Sequence, residues 1–220
     1  MINIRLANIN DSKGRGFVHY HSWNETYSGL IDQEYLDKRS LSKCIDSAMK
    51  YPDNTFVAEV DGSIVGFACY AKYRDDDLNN AGEITAIYLL KQYQGLGIGR
   101  KLLNACFEVL SDYSSIVIWV LSANKKTIDF YKHFGFKADG MEKERKLSAT
   151  TTINVIRMIK LLWPIKMPQI LFQVFVALSF VTNYNNFLIS STDNTLPDAT
   201  TFPSTTKPGV RKILNDAISL

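Results

Sequence analysis

Residues 94–100 read Gln-Gly-Leu-Gly-Ile-Gly-Arg, between an apolar run at 84–90 and a helix-patterned stretch at 101–110. A strand, a glycine turn and a helix therefore follow one another, which confines the chain to folds where a strand hands directly to a helix N-terminus. Glycine lets backbone approach a ligand without Cβ interference, and the first-turn N–H groups of a helix have no internal partner. Such a turn can cradle a pyrophosphate at the positive end of the helix dipole. It can equally be a bare tight corner.

Two familiar phosphate motifs fit poorly. A Walker loop needs Gly-Lys-Ser/Thr, whereas Gly99 is followed by Arg100 and Lys101. A dinucleotide fold places the turn after a first strand, with an acid about 20 residues on after a second strand. Asp112 is near that distance but ends a helix, and the turn comes far into the chain.

The remaining pattern, Gln-x-x-Gly-x-Gly at Gln94, Gly97 and Gly99, resembles the coenzyme A motif of the GNAT acetyltransferase superfamily. Residues 82–90 resemble that family's fourth strand, and 124–136, Asn-Lys-Lys-Thr-Ile-Asp-Phe-Tyr-Lys-His-Phe-Gly-Phe, its last helix and following strand. The resemblance covers about residues 1–160. Residues 23–31 further resemble the branch containing bacterial polyamine acetyltransferases.

The resemblance implies an α/β (α+β) domain with a mixed, mostly antiparallel sheet and helices on both faces, here with a C-terminal extension. It implies acetyl-CoA as cosubstrate and no metal. The fourth and fifth strands should part so that the pantetheine arm pairs with main-chain groups at Ile87, Tyr88 and Leu89, one N–H there polarising the carbonyl. Gly95, Leu96, Gly97, Ile98, Gly99 and Arg100, with Gln94, should hold the pyrophosphate. Lys91 stands where the family often has proline.

Tyr131 matches the family tyrosine, a phenol suited to protonate a departing thiolate, with a buried aromatic as the bland alternative. Asn124 is a candidate helix cap and coenzyme contact. Glu83 is a candidate base for the amine, against a solvated strand-end acid or deprotonation by ordered water. Trp23 and Tyr27, one turn apart, either wall the acceptor pocket or face the core. Asp75, Asp76 and Asp77 form an acidic loop that would attract a polycation or simply be solvated. His19 and His21 are two positions apart, the wrong spacing for a helical metal pair, and His133 reads as a surface residue.

The acceptor is thus expected to be a small, polyamine-like primary amine, with a protein N-terminus or lysine as the rival. A non-catalytic acyl-CoA sensor with a partner-binding tail is a reading from another class. At 220 residues and 46% hydrophobic, the chain is long and apolar enough for a buried core. A net charge of +3 without a basic run disfavours nucleic acid. Three dispersed cysteines argue against disulfides or zinc, and the start lacks a secretory pattern, so a cytoplasmic address is expected. Oligomeric state stays open, a homodimer included.

Strands are expected at 2–6, 55–60, 64–72, 115–121, 136–138, 142–148 and 152–160. Helical segments are expected at 13–27, 35–50, 100–110 and 124–133, and Asp61-Gly62 marks a tight hairpin. Residues 161–189 form an apolar extension whose twelve-residue core at 170–181 spans about 18 Å as a helix, short of the roughly 30 Å a membrane requires. Residues 190–220 read as a flexible linker and a short terminal helix.

Overall fold

The computed structural model describes residues 1–162. The expectations for the apolar stretch, the linker and the terminal helix lie outside the described residues.

Seven strands form one sheet in the order β1-β2-β3-β4-β5-β7-β6. They are β1 (Ile2–Leu6), β2 (Thr55–Val60), β3 (Ser63–Lys72), β4 (Ala81–Leu89), β5 (Ser115–Leu121), β6 (Lys137–Lys146) and β7 (Thr152–Leu161). Every neighbouring pair is antiparallel except β4 and β5. The β2–β3 turn is the expected Asp-Gly hairpin. Asp61 and Gly62 take φ of 49° and 78°, the positive pair that matches the right-handed twist of its strands.

Helices α1 (Ser12–Tyr27), α2 (Gln33–Asp37), α3 (Leu41–Lys50), α4 (Ile98–Val109) and α5 (Lys125–His133) cover the sheet. Adjacent strand residues point to opposite faces. Phe67 meets His19 of α1 at 6.1 Å between ring centroids, while a Cβ on Gly66 would lie 3.4 Å from Leu102 of α4. Helices α1 and α4 therefore lie on opposite faces. Between them sits the core of Val57, Val65, Ile84, Leu102, Ile116 and Met158, each at most 1% exposed.

Two expectations need correction. Residues 35–50 do not form one helical segment, because the chain leaves α2 at Lys38 and restarts at Ser40, whose hydroxyl accepts from the Lys43 N–H at 3.5 Å. Residues 137–146 are a single strand, not two. An irregularity between Ala138 and Glu142 takes up the intervening Asp139, Gly140 and Met141. Among the described residues no helix is long and apolar enough to cross a membrane.

Candidate active site

Strands β4 and β5 are partners only at their start, where Ala81, Gly82 and Glu83 pair with Ser115, Ile116 and Val117. Beyond Glu83, β4 continues to Leu89 and β5 to Leu121 with no pairing between them. The cause lies in β4 itself. Cys69 of β3 faces Ala86 and Tyr70 faces Ile84, so Thr85 is an extra residue without a counterpart. A bulge bends its strand and increases the local twist. The sheet opens here, leaving the main-chain edge of β4 around Ile87, Tyr88 and Leu89 without a strand partner on the β5 side.

The glycine turn lies at the end of this opening. Gly95 and Gly97 have φ of 80° and 77°, and a Cβ on either would meet nothing within 4 Å. Gly97 is the N-cap of α4 and offers no side-chain hydrogen bond, so no internal oxygen competes for the first-turn N–H groups. Ile98 anchors that turn in the core at 0% exposure, whereas Leu96 is exposed. Gln94 bridges two elements: its Nε2 donates to the Leu89 carbonyl at 3.3 Å, and its Oε1 accepts from Lys126 Nζ at 3.2 Å. The Arg100 guanidinium lies over the Phe134 ring at 5.4 Å, and Lys101 is exposed. Lys91 uses the N–H that proline would lack to donate to Glu25 Oε2 at 3.2 Å.

Three phenols meet at the parted strands. Tyr131, on α5, is 4% exposed, and its hydroxyl has no hydrogen-bond partner among the described residues. Burial pushes it well above the ordinary phenol value, and the nearby Tyr27 adds to the shift. Tyr88 is raised chiefly by burial as well, then by Tyr27 and Tyr131. Trp23 stands against Tyr27 at 4.7 Å and Tyr88 at 6.0 Å, so the α1 pair faces the opening. His19, 5.1 Å from the Tyr88 ring, is pushed down to about 4 by burial and by the charges of Arg39 and Arg15.

The other sequence candidates lie as follows. Asn124 caps α5, its Oδ1 accepting the Thr127 N–H at 3.1 Å. Glu83 is 3% exposed, and Arg74 donates to both its oxygens at 3.1 and 3.3 Å, so it is no solvated strand-end acid. The acidic loop is tied down: Asp75 pairs with Lys143 at 3.0 Å, and Asp77 pairs with Arg157. Two of the three loop acids are thus ion-paired within the fold, while Asp76 is exposed and has no ion pair among the described residues. His133 is exposed, its Nδ1 lying 2.6 Å from the Asp129 carbonyl.

Two grooves flank the β6–β7 tip. One, of about 510 Å³, lies at the end of β5 and is lined by Leu30, Ile31, Asp32, Ser122, Thr151 and Asn154 among others. The second, of about 640 Å³, includes His19, Tyr35, Arg39, Lys43 and Thr151. They share Asp32, whose Oδ2 accepts the Thr151 hydroxyl at 3.2 Å and divides them. Asp32, Arg39 and the 147–151 tip were not singled out in the sequence. Asp32 carried a local signal, since it caps α2 by accepting the Glu34 N–H, but the others join the site only through tertiary packing.

Comparison with known proteins agrees with this geometry. The model of the acetyltransferase (GNAT) family matches residues 17–136. The chain is 34% identical over 138 residues to YuaI, an uncharacterized N-acetyltransferase of Bacillus subtilis, covering 61% of this chain and 79% of that one. It is 31% identical over 86 residues to a probable spermine N(1)-acetyltransferase of Bacillus subtilis subsp. natto, covering 36% of this chain and 57% of the relative. PaiA N-acetyltransferase of Thermoplasma acidophilum, solved in complex with coenzyme A, superposes with a TM-score of 0.56. That match has 23% identity and covers 73% of this chain and 99% of PaiA. With more than half its length matched by the family model and its sheet opened between the fourth and fifth strands, the chain belongs to the acetyltransferase (GNAT) family.

Proposed function

We propose that this acetyltransferase moves the acetyl group of acetyl-CoA directly to the primary amine of a small molecule, both substrates being bound together. The observation that carries this reading is the parted β4–β5 edge running into an uncapped helix N-terminus. The diphosphate of the coenzyme fits the amides of Gly95 to Arg100, where no Cβ intrudes and no side chain caps the helix, with Arg100 and Lys101 adding charge. The pantetheine arm fits the free main-chain edge at Ile87, Tyr88 and Leu89, whose N–H groups are also suited to polarise a carbonyl.

In the transfer, the amine nitrogen bonds to the acetyl carbon, the carbon–sulfur bond breaks, and the sulfur leaves with a proton. Tyr131 is the donor in this reading. Its burial keeps the phenol protonated at neutral pH, and a sulfur leaving in the same surroundings has its own basicity raised by the same cause. Arg74 occupies both oxygens of Glu83, so ordered water, and not that carboxylate, takes the amine's proton. Asn124 then acts as the cap that fixes the start of the Tyr131 helix.

In this reading the acceptor enters beside the β6–β7 tip and moves towards Trp23 and Tyr27, which face the parted strands at Tyr88. A polycation finds fewer free carboxylates there than the sequence suggests, because Asp75 and Asp77 are ion-paired and Asp32 is the one acid lining the smaller groove. The test is thiol release from acetyl-CoA with a panel of spermidine, amino acids, aminoglycosides and peptides. Tyr131→Phe should lower kcat about 100-fold while calorimetry finds acetyl-CoA affinity little changed. Undiminished turnover by that variant would remove Tyr131 from the chemistry. Turnover of peptide N-termini alone would move the reading to protein acetylation.

A further inference from the structure

Arg39 is a cation without an anion among the described residues. Its guanidinium stacks on Trp23 at 4.3 Å, and Nη2 donates to the thiol of Cys44 at 3.4 Å. Its Nε is buried with no hydrogen-bond partner, and no carboxylate pairs with it among the described residues. The indole N–H of Trp23, beneath it, is likewise buried and unpaired. Leaving such donors unsatisfied is costly, and Arg39, unlike Trp23, also lines the larger groove, where its guanidinium can meet a ligand acceptor.

The surroundings have the same sign. Lys38, Arg39 and Lys43 line the larger groove against Asp32 and Glu34. Lys38 is already paired with Glu34, and Asp32 is held by Thr151 and the Glu34 N–H. Lys43 has no acidic partner among the described residues. Tyr35 and Cys44 also line this wall, as does His19, which burial and the nearby arginines keep neutral at physiological pH. Only one indole ring, that of Trp23, stands between Arg39 and Tyr88 at the parted strands.

We infer that the acceptor is a primary amine that also carries a carboxylate, bound by the Arg39 fork with Lys43 beside it while the amine reaches the opening at Tyr88. This rests on the transfer reading above and narrows it to an amino-acid-like substrate class. The planar fork of arginine matches a carboxylate through two parallel N–H bonds, which a lysine at the same place would not reproduce.

The experiment compares matched acceptors by thiol release: amino acids, their amides and methyl esters, and the corresponding amines without the carboxylate, with spermidine as the polycation. The expected result is a kcat/KM at least about tenfold higher for the free carboxylate member of a pair. The preference should shrink as salt rises and fall toward unity in Arg39→Gln, mainly through KM. Arg39→Lys should recover only part of it. Acetyl-CoA affinity, measured by calorimetry, checks that each variant is folded. Equal use of both members, or a preference for spermidine, overturns the inference and leaves the transfer reading standing. Thiol release from no amine, with acetyl-CoA still bound, overturns both.

Discussion

Arg157 and Arg39 each lie against a tryptophan, 5.9 Å from the Trp119 ring and 4.3 Å from the Trp23 ring, yet their surroundings differ completely. Arg157, on β7, is 4% exposed and every arm is answered. Nε donates to Asp139 at 2.8 Å, and Nη1 donates to the Tyr73 hydroxyl at 2.9 Å and to Asp77. Burial works against its charge, but these bonds outweigh it and raise its pKa above the ordinary value. Arg39 is half-buried, with a thiol as its one acceptor among the described residues. The first arginine stitches the 73–77 loop to β6 and β7. The second contributes little to folding that a neutral side chain could not, so its place is better explained by a ligand.

The largest difference should come from removing the answered charge. Arg157→Gln leaves Asp77 and Asp139 without their cation and frees the loop that also carries Asp75. A loss of about 3 kcal/mol in unfolding free energy is expected, read from the urea midpoint at pH 7. Acetyl-CoA affinity should change far less, because the network lies on β6, β7 and the 73–77 loop, away from the glycine turn. A loss under 1 kcal/mol would show that these ion pairs are ornamental and dissolve the contrast with Arg39.

His19 gives the next largest effect and reports how far the unanswered charge is felt. Its pKa falls from 6.5 to about 4, first through burial and then through Arg39 and Arg15. The unfolded chain therefore binds this proton below pH 6.5, whereas the folded protein does not until about pH 4. Stability is fully present above 6.5 and is lost as pH falls through that window. About 2 kcal/mol should disappear between pH 7 and pH 5, and His19→Phe should flatten that part of the curve. In Arg39→Gln the His19 pKa should move upward, which NMR titration of the imidazole would follow. An imidazole titrating near 6.5 in the parent protein would contradict the burial that places His19 among Trp23, Phe67 and Tyr88.

The two arginines also mark where the sequence stops being readable. Segments governed by local chemistry were legible: the glycine turn into α4, the Asp61-Gly62 hairpin, and β5 with its run of β-branched residues. Ser40 carried a capping signal that the apolar periodicity of 35–50 concealed, and β6, exposed throughout and mostly charged, has no apolar alternation to mark it as one strand. Tyr131 and the turn were named from the family resemblance and lie at the parted strands, while the roles given to them rest on the proposed transfer. Nothing local could reveal that Asp77 meets Arg157 across 80 positions, that Lys143 reaches Asp75 across 68, or that Arg39 would lie over Trp23. The two ion pairs exist only once the sheet has brought β3, β6 and β7 together, and the stack only once the α2–α3 connection packs on α1. The ion pairs give two of the three loop aspartates cations that local sequence does not reveal.

The smallest effect is the one that sharpens the comparison most. Arg39→Gln gives up a stacking contact worth about 0.5–1 kcal/mol and relieves an uncompensated cation of its desolvation cost. The two terms oppose each other, so the change in unfolding free energy should lie within about 1 kcal/mol of zero. That is well below the Arg157→Gln loss in the same urea titration. A side chain whose removal scarcely alters stability but alters the choice of acceptor is positioned for the substrate. If Arg39→Gln instead costs as much as Arg157→Gln, the arginine is holding α2 and α3 against Trp23, and the unpaired donors are a packing compromise, not a binding feature.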